Sequence, residues 1–274
     1  MIEPASKISA KNEWQNWMVF IILAFIWGGS FILIKKGLIH FTPLQVGAMR
    51  IAISAIAFIP IFFIFKAPFP KGKVLLVSLV VLTGNGVPAV LFALAETRLG
   101  SAVTGVLNSL TPIFALLIGV FFFRTPFKKH YLIGLLLGCI GIVILMISEK
   151  DWHVSSYVFF VVLGTLCYGL SANLVKHYCQ DIHPVALTAV GFFPVGCLSI
   201  IILWLTGAGD KLQLAETWRI SMPSLIILSL VCTVFANILF YWIIQRTSAI
   251  FGSAIAYAIP CMALVWGSVD GEII

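Results

Sequence analysis

Residues 27–35 read WGGSFILIK and residues 168–176 read YGLSANLVK, so glycine, serine and lysine recur in the same order 141 residues later. The match continues at that spacing and then, after seven extra residues in one long loop, at a spacing of 148. The aligned pairs are Gly28 and Gly169, Ser30 and Ser171, Lys35 and Lys176, Pro43 and Pro184, Ala48 and Ala189, Leu82 and Leu230, Leu91 and Leu239, Phe92 and Phe240, Arg98 and Arg246, and Pro112 and Pro260, with Trp27 opposite Tyr168. Chance explains leucine on leucine in an apolar chain, but not proline, lysine and arginine in order. The sequence therefore predicts an internal repeat.

The composition places this repeat in a membrane. Hydrophobic residues make up 61% of the chain, charged residues 10%, and the mean hydropathy is +1.10, whereas soluble domains carry about 45–50% apolar and about 25% charged residues. The 17 basic residues are spread in ones to threes between apolar runs, so the net charge of +7 does not form a nucleic-acid-binding patch. The six cysteines show no CxxC spacing, which favours neither a disulfide framework nor a metal site, and no cofactor motif is present.

Apolar runs bounded by charges or turn residues predict nine membrane spans. They lie near 17–34, 44–65, 74–95, 99–122, 130–147, 154–175, 184–205, 221–244 and 250–269. The first five form one repeat unit (1–148), and the next four belong to a second unit (149–274). The counterpart of span 130–147 would fall near 278–295, so a tenth helix is expected beyond Ile274.

Five spans is an odd number, so the second unit must enter the bilayer from the opposite face. The fold class predicted is therefore an all-α polytopic membrane protein with a ten-helix inverted repeat (5+5), nine helices being present in the sequence. Inverted repeats are typical of secondary transporters, whose central site is exposed alternately to the two sides. Lysine and arginine are more numerous on the side of the N-terminus, which predicts a cytoplasmic N-terminus.

The pattern Trp27-Gly28-Gly29-Ser30-Phe31, followed by Lys35, Pro43 and Arg50, resembles the opening of EamA-type proteins of the drug/metabolite transporter superfamily. The stretches 102–120 and 254–267 resemble the fourth and ninth helices of that family, and Gly271-Glu272 its Gly-Glu pair. The resemblance covers essentially the whole chain. It implies ten helices around one central cavity, both termini cytoplasmic, a bacterial inner-membrane location, and small metabolites as cargo, often exported. Arg124 departs from the pattern, since it aligns with Glu272, and we expect that to affect loop structure rather than transport.

Polar and amphipathic residues inside the spans are the candidate substrate-binding residues. As a group, these residues are expected to line a cavity. For any single Asn, the alternative is that its side chain forms a hydrogen bond between two helices. The candidates are Trp27, Asn85, Asn108, Thr111, Tyr168, Asn173, Asn237 and Tyr257.

Arg50, Pro112 and Pro260 are predicted as gating or hinge residues. Arg50 lies well inside an apolar run, where an arginine costs about 2.5–3.5 kcal/mol on insertion scales. It either snorkels to the interface or contacts an anion or latches a gate. Each proline is predicted to lie mid-helix and to free a carbonyl four residues earlier. The two then form symmetric kinks beside the cavity or are packing irregularities, and the side chains of Asn108, Ser109 and Thr111 are candidate partners for the freed carbonyls.

No aspartate or glutamate lies deep in a span, which disfavours proton coupling through a carboxylate and a cation pump. A neutral, polar and aromatic interior favours a neutral or zwitterionic solute such as an amino acid. The predicted function is an exporter of such metabolites, with the lipid bilayer and a small-molecule substrate as partners. A phosphate-sugar or nucleotide-sugar carrier and a non-transporting scaffold are the alternatives. An enzyme is not predicted, because HExxH, GxSxG and paired carboxylates are missing from the sequence. The oligomeric state is left open.

Overall fold

The structure, a computed structural model of the chain, describes residues 10–126, 140 and 156–270. Within those ranges the chain is helical with short connections and contains no strand. The helices are α1 (Ala10–Gly28), α2 (Ser30–Leu38), α3 (Pro43–Ile64), α4 (Val74–Val81), α5 (Val87–Ala95), α6 (Ser101–Asn108), α7 (Thr111–Phe121), α8 (Val158–Tyr178), α9 (Pro184–Leu205), α10 (Ala208–Lys211), α11 (Ala215–Arg219), α12 (Ser221–Ser229), α13 (Ala236–Arg246), α14 (Ala249–Ser253) and α15 (Ile255–Asp270). Two π-helical turns, Leu82–Gly86 and Leu230–Phe235, join α4 to α5 and α12 to α13.

Eight stretches of the described residues are long and apolar enough to cross a membrane. They are Glu13–Leu38, Pro43–Ile64, Val74–Ala95, Val103–Phe121, Val158–Tyr178, Pro184–Leu205, Ser221–Arg246 and Ala249–Trp266. Each coincides with one predicted span to within a few residues. The remaining predicted span, 130–147, and Gly271-Glu272 lie outside the described residues. The prediction of a helical, polytopic membrane protein is confirmed.

The helices reproduce the repeat that the sequence predicts. Helices α3 and α9 each begin at a proline, contain 22 residues and start 141 residues apart. The two π-helical turns begin at Leu82 and Leu230, which the sequence alignment pairs at a spacing of 148. A π turn is rare and costs regular hydrogen bonds. Its recurrence at the same place in both halves therefore shows that the halves share detailed backbone structure.

The equivalent helices α3 and α9 pack against each other in antiparallel orientation. Near the start of α3, the Gln45 amide donates to the carbonyl of Thr206, which follows the end of α9, at 2.9 Å. Farther along, the rings of Phe58 and Phe192 lie 4.9 Å apart. Since matching helices of the two halves run in opposite directions, the repeat is inverted.

The first helix of each half packs on the fourth span of the other half. Gly28 in α1 faces Met262 and Ala263 of α15, and Gly169 in α8 faces Phe114 and Ala115 of α7. These two crossings are equivalent in the repeat alignment. At both, a Cβ atom would lie 3.0 Å or less from backbone atoms of the neighbouring helix, so glycine permits an approach that no larger residue allows.

The two halves also contact each other at both ends of the bundle. At one end, Lys211 donates to the Gln45 side chain at 3.0 Å. At the other, Lys73 forms a salt bridge of 2.6 Å with Asp181, and this hydrogen bond lowers the pKa of the Asp181 carboxyl. Both side chains of that pair are exposed, so the salt bridge contributes little to stability. The salt bridge shows that the α3–α4 loop and the α8–α9 loop lie at the same end of the bundle.

Candidate functional site

A cavity lies at the centre of the bundle, where the two halves meet. The cavity has a volume of about 80 Å³. Its walls come from the first, third and fourth spans of each half, together with Arg50 from α3. The lining residues are Trp27, Ser30, Phe31, Ile34, Arg50, Gly84, Asn85, Phe92, Asn108, Thr111, Tyr168, Asn237, Phe240, Gly252, Ser253, Ile255, Ala256 and Ile259.

Most of the residues predicted from sequence are brought together in this cavity. Those that line it are Trp27, Arg50, Asn85, Asn108, Thr111, Tyr168 and Asn237. Those that do not are Asn173, Tyr257, Pro112 and Pro260. A role in binding or gating stays a prediction for all of them.

Two aromatic pairs form equivalent parts of the cavity wall. The rings of Trp27 and Phe240 lie 5.0 Å apart, and those of Tyr168 and Phe92 lie 5.5 Å apart. In the repeat alignment, Trp27 matches Tyr168 and Phe92 matches Phe240. Each pair therefore joins the first helix of one half to the third span of the other. Phe92 and Phe240 were not among the predicted site residues, although their alignment with each other, on the same spans as Asn85 and Asn237, was a usable signal.

The amides of Asn85 and Asn237 form a reciprocal pair across the two halves. Asn237 donates to the Asn85 oxygen at 2.9 Å, and Asn85 donates to the Asn237 oxygen at 3.2 Å. Asn85 also donates to the Tyr241 hydroxyl at 3.2 Å, and Asn237 donates to the carbonyl of Thr233 at 2.7 Å. Both asparagines are buried. The pair therefore cross-links the two third spans at the cavity wall.

We expect Asn85→Leu and Asn237→Leu each to destabilise the protein by about 1–3 kcal/mol, because each leaves the partner amide buried without its bonds. The double variant should cost less than the sum of the two, with a coupling of about 0.6–1.7 kcal/mol, the range measured between membrane helices. The measurement is the free energy of unfolding of the purified protein in mixed micelles, by denaturant titration. Strictly additive losses would contradict the reciprocal pair.

Arg50 is buried in α3, with 8% of its surface exposed, and lies about two turns from the start of that helix. Its Nε atom donates to the Thr233 hydroxyl at 2.7 Å. The backbone around it is also tied across the halves, because the Ser54 hydroxyl contacts the carbonyls of Arg50 at 2.7 Å and of Ser229 at 3.2 Å. The reading in which Arg50 snorkels to the interface does not fit this burial. The guanidinium instead lies at the cavity.

Side chains from other helices donate to backbone carbonyls at or beside the π turns, where the regular helical hydrogen-bond pattern changes. The Ser171 hydroxyl donates to the carbonyl of Val80 at 2.9 Å, and the Trp27 indole N–H donates to the carbonyl of Cys232 at 2.9 Å. In lipid such carbonyls cannot turn to water. Trp27 thus lines the cavity with its ring and holds the π turn with its indole N–H. That N–H is therefore not available to a ligand.

The fourth span of the first half is broken beside the cavity, between α6 and α7. The Thr111 hydroxyl donates to the carbonyl of Asn108 at 2.7 Å, and the Ser109 hydroxyl donates to the carbonyl of Ala256 at 3.0 Å. These are the two carbonyls that the sequence predicted to be freed, and two of the side chains that it proposed as their partners.

The prediction that Pro112 lies mid-helix is wrong. Pro112 is the second residue of α7, where a missing N–H costs little because the first turn has unpaired N–H groups in any case. Pro260 does lie inside a helix, α15, whose break from α14 comes earlier, at Ala254. The two prolines are therefore equivalent in sequence and different in local structure.

Asn173 and Tyr257 lie away from the cavity. The Asn173 amide donates to the carbonyls of Ala115 and Gly169, each at 2.8 Å, and so holds α8 against α7. This is the interhelical hydrogen bond that was the alternative for a lone asparagine. Tyr257 lies in the first turn of α15 and is half-buried. Arg124, which was expected to affect loop structure, adopts a left-handed conformation with φ 52° just after α7.

The cavity is neutral and partly aromatic apart from one charge. Among the described lining residues, Arg50 is the single ionised side chain, and amides and hydroxyls supply the other polar groups. No group of His, Cys, Asp and Glu among the described residues could hold a metal ion. The site can therefore solvate a small polar molecule and offers hydrogen bonds and one positive charge.

Two inverted halves of membrane-length helices around a shared central cavity define a membrane transporter. Comparison with known sequences gives the family. The EamA-like transporter family matches residues 15–147 and 155–270, and the chain belongs to this family.

Several known proteins are similar to this chain at low sequence identity. An uncharacterized transporter of Archaeoglobus fulgidus is 24% identical over 93% of this chain and 90% of its own length. A probable amino-acid metabolite efflux pump of Salmonella typhimurium is 26% identical over 53% of this chain and 47% of its own length. A known crystal structure superposes with a TM-score of 0.67 at 14% identity, covering 94% of this chain and 88% of that one, which supports the fold alone.

Proposed function

We propose that this transporter exports small neutral or zwitterionic metabolites, such as amino acids, from the cytoplasm of a bacterium across its inner membrane. The observation that carries the proposal is the central cavity, whose described lining combines amides, hydroxyls and aromatic rings with one cation. A zwitterion offers one carboxylate to that cation and an ammonium group to the neutral oxygens and aromatic faces. The likeness to a relative described as a probable amino-acid metabolite efflux pump supports the same cargo.

Alternating access follows from the inverted architecture in this proposal. The cavity wall is built from equivalent elements of the two halves, 1–148 and 149–274, as the aromatic pairs Trp27–Phe240 and Tyr168–Phe92 illustrate. If the halves exchange conformations, the cavity opens to the opposite side while its lining stays the same. The excess of lysine and arginine on the side of the N-terminus supports a cytoplasmic N-terminus.

The test is flux through purified full-length protein in liposomes, with a panel of radiolabelled amino acids and related metabolites inside the vesicles. We expect efflux of at least one amino acid above that of protein-free vesicles, and competition from unlabelled solute. Absence of flux for the whole panel would overturn the amino-acid assignment. Preferential movement of a sugar phosphate would establish the phosphate-sugar carrier in its place.

A further inference from the structure

The guanidinium of Arg50 has N–H donors at the cavity that form no hydrogen bond with the described residues. Its Nε atom bonds to Thr233, and its two terminal nitrogens, Nη1 and Nη2, have no hydrogen-bond partner among the described residues. The side chain is nevertheless more than nine-tenths buried and forms part of the cavity wall. The terminal nitrogens are not sealed within protein, since neither is among the described buried polar atoms that lack a partner.

Thr233 fixes the orientation of this group. Its hydroxyl donates its one proton to the carbonyl of Leu228 at 2.9 Å, so towards Arg50 it can only accept. Thr233 lies within the π turn Leu230–Phe235, and its bond reaches back five residues because of that turn. The guanidinium is thereby held by Nε, which leaves the Nη edge as the face available to a ligand.

The charge belongs to one half only. The residue equivalent to Arg50 in the second half is Gly191, which packs against the backbone of Val77. A buried cation without a counter-ion is unstable in a low-dielectric interior. The described lining contains no aspartate or glutamate to neutralise it. An anion supplied by the cargo meets that need.

We propose that Arg50 binds the carboxylate of the cargo, and that the cargo is a small monocarboxylate with an apolar or aromatic body. This inference rests on the proposed transport function and names its substrate class. A planar guanidinium edge with paired N–H donors matches a carboxylate in two parallel hydrogen bonds. The body of the molecule then lies against the rings that share the cavity, namely Trp27, Phe31, Phe92, Tyr168 and Phe240.

A carboxylate fits this cavity better than a phosphate ester. One guanidinium balances one negative charge, whereas a phosphate dianion would leave a surplus charge among neutral side chains. Phosphate sites typically recruit several basic side chains, and the described lining offers one. Five of the described lining residues are aromatic, which favours an apolar body over a sugar.

The experiment compares two amino acids with their amides, which differ from them at the carboxylate alone, and includes a phosphate ester as the rival ligand. Leucine, phenylalanine, their amides and glycerol 3-phosphate are titrated by calorimetry into the wild-type full-length protein in lipid nanodiscs. We expect the amino acids to bind roughly tenfold to a hundredfold more tightly than their amides, as a charge-assisted pair contributes. Equal affinity for acid and amide, or tighter binding of glycerol 3-phosphate, overturns the proposal without any variant having to fold.

Variants then assign the preference to Arg50. In Arg50→Gln the difference between acid and amide should disappear because the acid loses affinity, and Arg50→Lys should restore part of it. Thr233→Val, a positioning change of nearly equal shape, should weaken the acid and leave the amide unchanged. If Arg50 is a structural residue alone, Arg50→Gln will weaken acid and amide by the same factor.

Failure of the carboxylate contact can be distinguished from failure of the proposed function. If amino acids move through liposomes but acid and amide are bound and transported equally well, transport stands and the carboxylate contact does not. If nothing in the amino-acid panel moves, the function itself is overturned.

Discussion

Gly169→Ala is expected to destabilise the protein by about 1–3 kcal/mol, the usual cost of forcing an extra methyl into a packed interior. A Cβ atom at this position would lie 2.7 Å from the backbone nitrogen of Ala115 and 2.9 Å from the backbone carbon of Phe114. Backbone atoms cannot rotate aside as a side chain does, so α8 and α7 must separate. That separation would also strain the bond from Asn173 to the carbonyl of Ala115. The measurement is the melting temperature in detergent, together with the free energy of unfolding.

Gly28→Ala tests the equivalent crossing and should cost a similar amount, since its Cβ would meet the backbone of Met262 and Ala263. Gly105→Ala is the matched control within a span. There the nearest atom to a Cβ is the Phe31 ring at 3.4 Å, an ordinary contact, and alanine favours helix. If Gly169→Ala and Gly105→Ala have the same melting temperature, the close crossing of α8 and α7 does not stabilise the protein.

Ala256→Phe is expected to reduce transport to the level of protein-free vesicles while the protein remains folded. Ala256 lies in the first turn of α15 and forms part of the cavity wall. A phenyl ring at this position would occupy the space of about 80 Å³ that a cargo needs. Its backbone carbonyl would keep the bond from Ser109, because that bond does not involve the side chain. The measurement is efflux from liposomes with matched amounts of protein.

Leu264→Phe serves as the control on the same helix. Leu264 is exposed on the outside of the bundle, so the added ring meets lipid and transport should be unchanged. Size-exclusion elution and melting temperature show that both variants are folded. Normal efflux by Ala256→Phe would mean that the cargo does not pass through this cavity.

The helices and their arrangement could be predicted from the sequence because they depend on local composition and on the repeat. Apolar runs of membrane length predicted the eight described spans. The spacing of 141 predicted that α3 and α9 are equivalent helices of the two repeats. The cavity could be predicted in part, because a polar residue inside an apolar span must find polar surroundings. That argument does not distinguish a cavity from a neighbouring carbonyl, which is why it included Asn173.

What could not be predicted depends on contacts between distant parts of the chain. The bond from Arg50 to Thr233 spans 183 residues, and no local pattern indicates it. The two π turns were also not predicted, since a π turn results from packing and side-chain donors on other helices rather than from a motif of its own. Pro112 was placed mid-helix because the apolar run continues through it, although the backbone breaks just before it.

The packing of each half's first helix on the other half has a consequence for synthesis of the protein. Helix α1 is made first, yet its main partner, α15, is the last helix that the structure describes. While the chain between them is being inserted, the surface around Gly28 has only lipid or the insertion machinery as a neighbour. Assembly of the first half therefore cannot be completed as the chain emerges, and the half-made protein is the stage most exposed to quality control. Chains produced as two separate halves should accumulate only when both are expressed together.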